Sequence, residues 1–355
     1  MATGQAEKLI LSLDAMGGDN APHMVIEGAA LAIAQNPDLF LLIYGDESQL
    51  NPLLKKFPAL TGHYKLIHTP EFIKSDEKPS IALRQGKQSS MRLAIDAVAN
   101  GEAQGVISAG NTGAYMAMGK FFLKTIPGID RPAIVASFPT NKKPCVMLDL
   151  GANVQCDHNH LVQFALMGNA YAREILNLEH PTVGLLNVGE EEQKGNPAVQ
   201  MAATILRRAP NTINFHGFIE GDDIAKGTVD VIVTDGFTGN ITLKTIEGMV
   251  TFMMNLAREA FQTSWLARLG YLFCIPAFKP IKKKMNPKAY NGAMFIGLKG
   301  VAIKSHGGAD ALAFSAAVLT AAKLVSHNFN HQIETNLELL AKDLEDHPDL
   351  SESTN

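Results

Sequence analysis

Short apolar runs alternate with amphipathic stretches along most of the chain. Eight runs have the length and the β-branched character of strands, at residues 9–13, 39–44, 65–68, 105–108, 133–138, 145–150, 182–188 and 229–233. Helical periodicity occurs at residues 22–35, 89–100, 112–124, 158–178, 197–208 and 309–326. Such alternation is typical of a mostly parallel sheet with helices on both faces. We therefore predict a doubly wound α/β fold.

Two later stretches depart from this alternation. The apolar runs 293–298 and 301–304 flank Lys299 and Gly300, which predicts a hairpin that adds antiparallel strands. Between residues 249 and 288, apolar side chains recur at helical spacing, which predicts one or two amphipathic helices. We find neither an internal repeat nor a Pro/Ser-rich linker. We expect one domain over residues 1–345, with an amphipathic helical excursion at 248–290 and an acidic, polar tail at 346–355.

Glycine-rich loops follow several predicted strands. The loop at 235–240 comes after the apolar run 229–233, and its Asp, Gly and Asn residues favour a tight turn before a helix that begins at Asn240. A helix N-terminus reached in this way suits a phosphate or an oxyanion, although ordinary connections between strands and helices use the same residues. Similar loops occur at 14–22, 108–114, 149–153 and 187–196. Because such loops gather at the carboxyl ends of parallel strands, we expect one shared pocket.

Composition narrows the class of protein. The 355 residues are 46% hydrophobic, which is ample for a buried core. A net charge of −4 gives no basic field for nucleic acid. The three cysteines form no CxxC pair, which fits a reducing cytoplasm. With no secretion signal and no run near the roughly 20 apolar residues of a membrane span, we expect a cytoplasmic protein that is soluble or lies on a surface.

Several common catalytic motifs are absent from the sequence. The first loop lacks GxGxxG spacing, and the segment from Gly113 to Lys120 has one residue too many for a P-loop. There is no GxSxG elbow for a serine nucleophile. Asp157-His158-Asn159-His160 lacks HExxH spacing and fits a helix cap better than a metal site. We predict neither a cofactor nor a metal.

The loops taken together resemble the PlsX family of bacterial phosphate acyltransferases. The most specific pieces are LDAMGGDNAP at 13–22, SAGNTG at 108–113, LNVGEEEQKGN at 186–196, GDD at 221–223 and DGFTGN at 235–240. One departure is Ser305-His306-Gly307-Gly308, where the family often has Gly-His-Gly. The resemblance implies a fold similar to the isocitrate and isopropylmalate dehydrogenases and to phosphotransacetylase. It also implies attack of inorganic phosphate on the thioester of an acyl-acyl-carrier-protein, which yields acyl phosphate for phospholipid synthesis.

Candidate site residues follow from the loops and from this resemblance. We expect Lys194 to supply charge for phosphate and Asn240, with the backbone of Gly236 and Gly239, to orient phosphate or the oxyanion. His306 is a further catalytic candidate. Residues predicted to line the same mouth are Asp14, Gly17, Gly18 and Asn111. Arg84 and Ser90 lie in a polar cluster that would grip phosphate or the carrier's phosphopantetheine, with a solvated surface as the equal alternative.

The excursion carries a separate prediction about partners. Trp265, Leu269 and Phe273 are suited to a membrane interface, and a basic run follows them at Lys282, Lys283 and Lys284. The alternatives are an acidic carrier protein on the lysines or a helical pair buried between two subunits. The resemblance implies a homodimer and peripheral contact with the membrane, where a glycerol-phosphate acyltransferase would use the product. Alternative functions are a phosphotransacetylase-like enzyme, a decarboxylating dehydrogenase with an unusual cofactor loop, and a noncatalytic lipid-surface scaffold.

Overall fold

One mixed sheet forms the centre of the molecule. The computed structural model describes residues 9–284 and 292–346. The strands in these ranges are β1 (Leu9–Asp14), β2 (Leu39–Gly45), β3 (Tyr64–His68), β4 (Gly105–Ser108), β5 (Ala133–Phe138), β6 (Cys145–Leu148), β7 (Thr182–Leu186), β8 (Asn214–Ile219), β9 (Val231–Val233), β10 (Ala293–Ile296) and β11 (Val301–Lys304). They lie side by side in the order β3-β2-β1-β4-β11-β10-β5-β6-β9-β7-β8.

Helices and short helical turns connect these strands. They are α1 (His23–Gln35), α2 (Glu47–Leu54), a 3-10 turn (Pro58–Leu60), α3 (Pro79–Gln85), α4 (Ser90–Ala99), α5 (Thr112–Met118), a π-helical turn (Gly119–Leu123), α6 (His158–Leu176), α7 (Pro197–Arg207), α8 (Asp223–Lys226), α9 (Gly236–Gln262), α10 (Trp265–Lys284), α11 (Ala311–Ser326) and α12 (Phe329–Asp346). None of the helices in the described ranges combines the length and apolar character needed to cross a bilayer.

The strands fall into two parallel blocks that run in opposite directions. The first block is β3-β2-β1-β4-β11, and the second block is β6-β9-β7-β8. Between them lie β10 and β5, and the pairs β11–β10, β10–β5 and β5–β6 are all antiparallel. Three successive reversals leave β6 antiparallel to β11. Loops that follow the two blocks therefore leave the sheet in opposite directions.

The blocks are also staggered along the strand direction. Ile303 of β11 pairs with Met294, Met294 pairs with Val135 of β5, and Val135 pairs with Leu148, the last residue of β6. Leu148 is thus level with Ile303, which is the next-to-last residue of its own strand. As a result, the carboxyl ends of β11 and β6 lie at the same level of the sheet. The loops that follow each block therefore lie beside the other block.

Alternate side chains of the strands pack against helix layers on the two faces of the sheet, as a doubly wound fold requires. Ile107 belongs to the core with α1, α6 and α11, whereas its neighbour Val106 packs with α4 and α5 on the other face. In the second block, that other face is covered by Ile224 of α8 and by Leu243 and Ile246 near the start of α9. The predicted doubly wound, mostly parallel sheet is confirmed, and so is the antiparallel β10–β11 hairpin.

The excursion consists of two long helices that expose apolar surface. Of the 27 residues of α9, only Gly236 and Gly239 are buried. The rings of Phe261 and Tyr271 join α9 to α10 with their centroids 5.1 Å apart. Exposed apolar side chains on the pair are Phe237, Ile241, Met249, Phe252, Met253, Met254, Leu256, Trp265, Leu266, Leu269, Tyr271 and Phe273. Residues 248–284 of the predicted amphipathic excursion are therefore helical apart from the short break between α9 and α10, and many of their apolar side chains are exposed within one chain.

Several elements differ from the sequence-based prediction. The edge strand β8 and the helices α2, α3 and α12 were not anticipated. The helix expected over 112–124 ends at Met118 and continues as the π-helical turn. Helix α9 begins at Gly236 rather than at Asn240, because Asp235 caps it and the two glycines lie inside its first turn. The side chains of Lys282, Lys283 and Lys284, and nearly all of the predicted tail at 346–355, lie outside the described part of the chain.

Candidate active site

The first block ends in a buried aspartate that two serine hydroxyls hold. Asp14, the last residue of β1, is 1% exposed and accepts hydrogen bonds from Ser90 Oγ at 2.6 Å and Ser108 Oγ at 2.7 Å. Burial raises the pKa of Asp14 above its usual value, against the lowering effect of these hydroxyls. A Cβ on Gly17 would come within 2.4 Å of Asp14 Oδ2, so the loop closes over the carboxylate only because residue 17 has no side chain.

A buried lysine lies near this network. Lys304, at the end of β11, is 8% exposed, and its Nζ donates to the carbonyl of Ala109 at 3.2 Å and to that of Ser305. Burial lowers the pKa of Lys304 to about 8, while the negative charges of Asp14 and Asp19 oppose the shift. Sequence reasoning missed this residue, because Lys304 stands at the end of an apolar strand. The sequence could have indicated it, because a lysine at the end of an apolar run beside a glycine-rich loop is unusual for a central strand.

Other predicted residues of the first block have mainly local partners. Asn111 caps α5 by accepting from Ala114 N at 3.0 Å, and its Nδ2 donates to the carbonyls of Lys74, Ser75 and Glu77. His306 is exposed, and its Nδ1 accepts from Gly308 N at 3.0 Å. Gly18 has φ +112° and lies against the Gly307 carbonyl, which joins the first loop to the last. The loops after β1, β4 and β11 therefore form one group.

The second block ends in a buried aspartate of a different kind. Asp149 follows β6, is fully buried, and accepts from the backbone N–H groups of Ile134, Gly151, Ala152 and Asn153 and from Asn153 Nδ2, at 2.8 to 3.2 Å. Burial raises the pKa of Asp149, and these donors oppose the shift. The carboxylate thus fixes the backbone of the 149–153 loop.

That loop in turn anchors the start of α9. Gly236 N donates to the carbonyl of Asn153 at 2.8 Å, and Gly239 N donates to that of Asp235 at 2.9 Å. A Cβ on Gly239 would lie 1.9 Å from the Asp149 carbonyl oxygen. Protein acceptors therefore occupy the N–H groups of Gly236 and Gly239, which we expected to meet a ligand. Asn240 is exposed beside Gly151, with its side chain 3.4 Å from the place of a Cβ on that glycine.

Lys194 lies in the loop that follows β7, the neighbour of β9. Gln200 Nε2 donates to the carbonyls of Gln193, Lys194 and Gly195, and Asn187 Nδ2 donates to that of Lys194 at 3.1 Å. These bonds fix the backbone of the loop while the Lys194 side chain stays exposed. Lys194, in the loop after β7, and Asn240, in α9 after β9, thus follow adjacent strands at the same end of the second block.

A cleft of about 460 Å³ opens beside this end of the second block. Its lining residues are Lys120, Arg131, Ala152, Asn153, Val154 and Gln155. Lys120 comes from the π-helical turn after α5, so the first block contributes one wall and the 152–155 loop contributes the other. Neither cation was anticipated as a site residue. We call this cavity the Lys120–Arg131 cleft.

The structure places the predicted site residues in two groups, one at the carboxyl end of each block. Lys194, Asn240, Gly236 and Gly239 lie at the end of the second block, whereas Asp14, Gly17, Gly18, Asn111 and His306 lie at the end of the first block. Because the stagger sets the carboxyl ends of the two blocks at the same level of the sheet, one shared pocket for the two groups stays a prediction. Ser90 joins the first group through Asp14, while Arg84 is exposed and its Nε donates to the Ser80 carbonyl within α3.

Comparison with known proteins identifies the family. A family model described as a fatty acid synthesis protein matches residues 9–332. A phosphate acyltransferase of Rhodospirillum centenum is 54% identical over 340 residues, which cover 96% of this chain and 96% of that protein. The chain belongs to the PlsX family of phosphate acyltransferases. As a member of this family it is an acyltransferase.

Solved structures with low sequence identity have the same fold. A phosphotransacetylase of Streptococcus pyogenes aligns with a TM-score of 0.61 at 17% identity, over 90% of this chain and 94% of that one. A 4-hydroxythreonine-4-phosphate dehydrogenase of Klebsiella pneumoniae gives 0.52 at 13% identity, over 90% and 100%. The acyltransferase therefore has the dehydrogenase-like α/β fold that the resemblance implied. In its described residues, no group of three or more His, Cys, Asp or Glu side chains is arranged to hold a metal ion.

Proposed function

We propose that this acyltransferase moves the acyl group of an acyl-acyl-carrier-protein to inorganic phosphate. The observation that carries the proposal is the exposed pair Lys194 and Asn240, which follow the adjacent strands β7 and β9 at the end of the block where the Lys120–Arg131 cleft opens. A cation suits the phosphate dianion, and an amide donor suits the charge that develops on the thioester oxygen. The name of the relative from Rhodospirillum centenum supports phosphate as the acyl acceptor.

The reaction is a direct displacement. A phosphate oxygen attacks the thioester carbon, and the carbonyl oxygen carries the negative charge of the tetrahedral intermediate. The C–O bond to phosphate stays, the C–S bond breaks, and the carrier leaves as its thiolate. The products are acyl phosphate and free carrier protein.

Cysteine chemistry is a poor alternative to direct attack. Burial raises the pKa of Cys145 and of Cys156 to about 12, so neither is a thiolate at neutral pH. Cys156 also lies near the negative charge of Asp149, which raises its pKa further. We expect mass spectrometry of enzyme quenched during turnover to find no acyl adduct on Cys145, Cys156 or Cys274. An acyl-cysteine that forms and decays at the rate of turnover would overturn direct transfer.

Two substitutions test the assignment of the second block. Lys194→Ala should abolish most turnover, and Asn240→Ala should lower kcat by about 100-fold if its amide stabilises the oxyanion. The control is Lys65→Ala, which removes an exposed cation from β3 in the other block. The assay measures acyl phosphate formed from acyl-carrier protein and phosphate. Near-normal activity of Lys194→Ala would refute its role, and a rise only in the KM for phosphate would reassign Asn240 to binding.

Ligand-dependent melting separates this function from its alternatives. Inorganic phosphate should raise the melting temperature, whereas NAD and NADP should not, because a ligand stabilises only the protein that binds it. A response to a nicotinamide cofactor would favour a dehydrogenase. Comparison of acyl-carrier protein with acyl-coenzyme A as donor then distinguishes a carrier-dependent enzyme from a phosphotransacetylase-like one.

We propose a membrane role for the α9–α10 pair, within a cytoplasmic homodimer. Trp265, Leu269 and Phe273 are 69%, 45% and 83% exposed in one chain, and exposed apolar surface of this kind favours a lipid interface or a second copy. The acyl phosphate product is an amphiphile, which supports delivery at a membrane, where a glycerol-phosphate acyltransferase would use it.

Flotation with anionic liposomes tests the membrane role. Wild type should float, whereas Leu269→Glu and a triple change of Lys282, Lys283 and Lys284 to Glu should float less while they keep activity on soluble substrate. Sedimentation of the same proteins reports whether Leu269→Glu also breaks the dimer. If all three proteins float equally, or if none floats, this pair is not the membrane anchor.

A further inference from the structure

Two cations face the Lys120–Arg131 cleft without an ionic partner. Lys120 and Arg131 both line it, yet within the described ranges neither forms an ion pair with a carboxylate. Arg131 Nη1 makes a 3.3 Å hydrogen bond to the carbonyl of Gln155, which holds the guanidinium against the opposite wall. The remaining donors of both side chains are available to a ligand.

Carboxylates of the adjoining loops already have other partners. They are Asp130, bonded to Gln163; Asp149, enclosed by its five N–H donors; Asp157, which caps α6; and Asp235, which caps α9. Each of these acids accepts hydrogen bonds that a cation would have to replace. None of these acids forms an ion pair with Lys120 or Arg131, so an anion from solution can bind the two cations directly.

The size and rim of the cleft indicate what carries the anion. About 460 Å³ falls within the roughly 300–1,000 Å³ of small-molecule sites. Val154 in the lining is 65% exposed, and Phe121, next to Lys120 in the chain, is 64% exposed. Cationic donors beside exposed apolar side chains suit a ligand that joins a phosphate group to a less polar chain.

The cleft adjoins the proposed reaction site through a single loop. Asn153 lines the cleft, and its carbonyl accepts from Gly236 N in the first turn of α9. Gly151, two residues earlier, lies against Asn240. A ligand held in the cleft is thus beside the amide that we assign to the thioester oxygen.

We infer that Lys120 and Arg131 form a binding subsite for a phosphate group. Arginine offers a planar pair of N–H donors to phosphate oxygens, and lysine adds a point charge. Two sources supply such a group in the proposed reaction, namely inorganic phosphate and the phosphodiester of the carrier's phosphopantetheine arm. The existence of the subsite rests on the cleft, whereas the choice between these sources rests on the proposed function.

The test is calorimetric titration of the full chain carrying Lys120→Gln and Arg131→Gln together. The matched control is Lys142→Gln with Lys143→Gln, which removes the same charge from exposed positions between β5 and β6, at the other end of these strands. The ligands are inorganic phosphate, 4′-phosphopantetheine and pantetheine, which lacks the phosphate. Circular dichroism and melting temperature verify that both variants are folded.

We expect the Lys120/Arg131 variant to bind at least one phosphate ligand about tenfold more weakly than wild type, because charged hydrogen bonds are lost. Its affinity for pantetheine, and all affinities of the control, should stay the same. Loss for phosphopantetheine alone assigns the subsite to the carrier arm, and loss for inorganic phosphate alone assigns it to the nucleophile. Unchanged affinity for both, an equal loss in the control, or no binding by wild type overturns the inference.

Because the test measures binding, failure of the subsite and failure of the proposed function can be distinguished. A wild type that forms no acyl phosphate would refute the reaction, yet the difference between the two variants in phosphate affinity would still measure the subsite. In an active enzyme, the KM for the same ligand should rise with its dissociation constant.

Discussion

Each block of the sheet ends in a buried aspartate, and the two blocks hold theirs with opposite chemistry. Asp14 is held by the hydroxyls of Ser90 and Ser108, with Lys304 nearby. Asp149 is held only by N–H groups. A hydroxyl can donate or accept, so the first network can follow a change of protonation, whereas N–H donors require an acceptor at all times. The first aspartate belongs to a network that can titrate, and the second is a fixed structural anchor.

The largest expected effect comes from removal of the fixed anchor. Asp149→Ala removes the acceptor of five buried or partly buried N–H donors, so we expect the free energy of unfolding to fall by about 5 kcal/mol. Urea unfolding followed by circular dichroism measures this loss. Asp130→Ala is the control, because that carboxylate is exposed. A loss under about 1 kcal/mol for Asp149→Ala would mean that the N–H groups do not depend on it.

A methyl group placed against the same anchor should act almost as strongly. Gly239→Ala puts a Cβ 1.9 Å from the Asp149 carbonyl oxygen, where only backbone movement relieves the overlap. We expect a loss of about 4 kcal/mol in the free energy of unfolding, together with loss of turnover. Gly248→Ala, in the same helix and with nothing within 4 Å of its Cβ, should instead gain about 1 kcal/mol. Equal stability of the two variants would show that α9 does not press on the 149–153 loop.

Lys304 of the first block should make the free energy of unfolding depend on pH. The pKa of Lys304 is about 8 in the folded chain against 10.5 for an ordinary lysine, so between these values the unfolded chain binds more protons and stability rises with pH. Lys304→Met should remove up to about 3 kcal/mol of this rise. The measurement is the difference between wild type and variant in urea unfolding from pH 7.5 to pH 10.5, with Lys142→Met as control. A constant difference across this range would contradict the shifted pKa.

The smallest effect should come from one hydroxyl of the first network. Ser90→Ala removes one of the two hydroxyl donors of Asp14, so we expect a loss of about 1.5 kcal/mol at pH 7. Because hydrogen bonds to the carboxylate lower its pKa, the loss should shrink at acidic pH, where Asp14 binds a proton. Ser80→Ala, an exposed change in α3, is the control. A loss of the same size at pH 7 and pH 4 would mean that the stabilisation by Ser90 does not depend on the charge of Asp14.

Sequence patterns predicted the alternation of strands and helices well. They failed for elements whose structure depends on contacts with distant parts of the chain. Strand β8 is an edge strand that contains His216 and Gly217, so it lacks the apolar run of a central strand. The glycines of 235–240 indicated a loop, because nothing in the sequence reveals that Asp149 lies close enough to require them inside a helix. Local propensity cannot supply contacts that come from distant parts of the chain.

The sequence indicated candidate residues for the site, and the structure shows which of their loops lie together. Lys194 and Asn240 were identified from their loops, and they lie at one end of the second block. Which loops meet depends on the reversal of strand direction across β10 and β5, and reversal leaves no mark on the pattern of a single strand. Arg131 lies in an ordinary polar connection, and it becomes a site residue only because the stagger of the blocks brings the 152–155 loop opposite Lys120.

Strand β11 lies between β4 and β10, although it is the last strand in the described part of the chain. A ribosome that makes this protein has therefore exposed β1 to β9 before residues 301–304 emerge, and until then β4 has an open edge. The second block and its Asp149 anchor come from consecutive residues, so they can close early. Asp14 meets Lys304 only after 290 further residues have been added. Truncated nascent chains that end before residue 301 carry a complete second block and an unfinished first one.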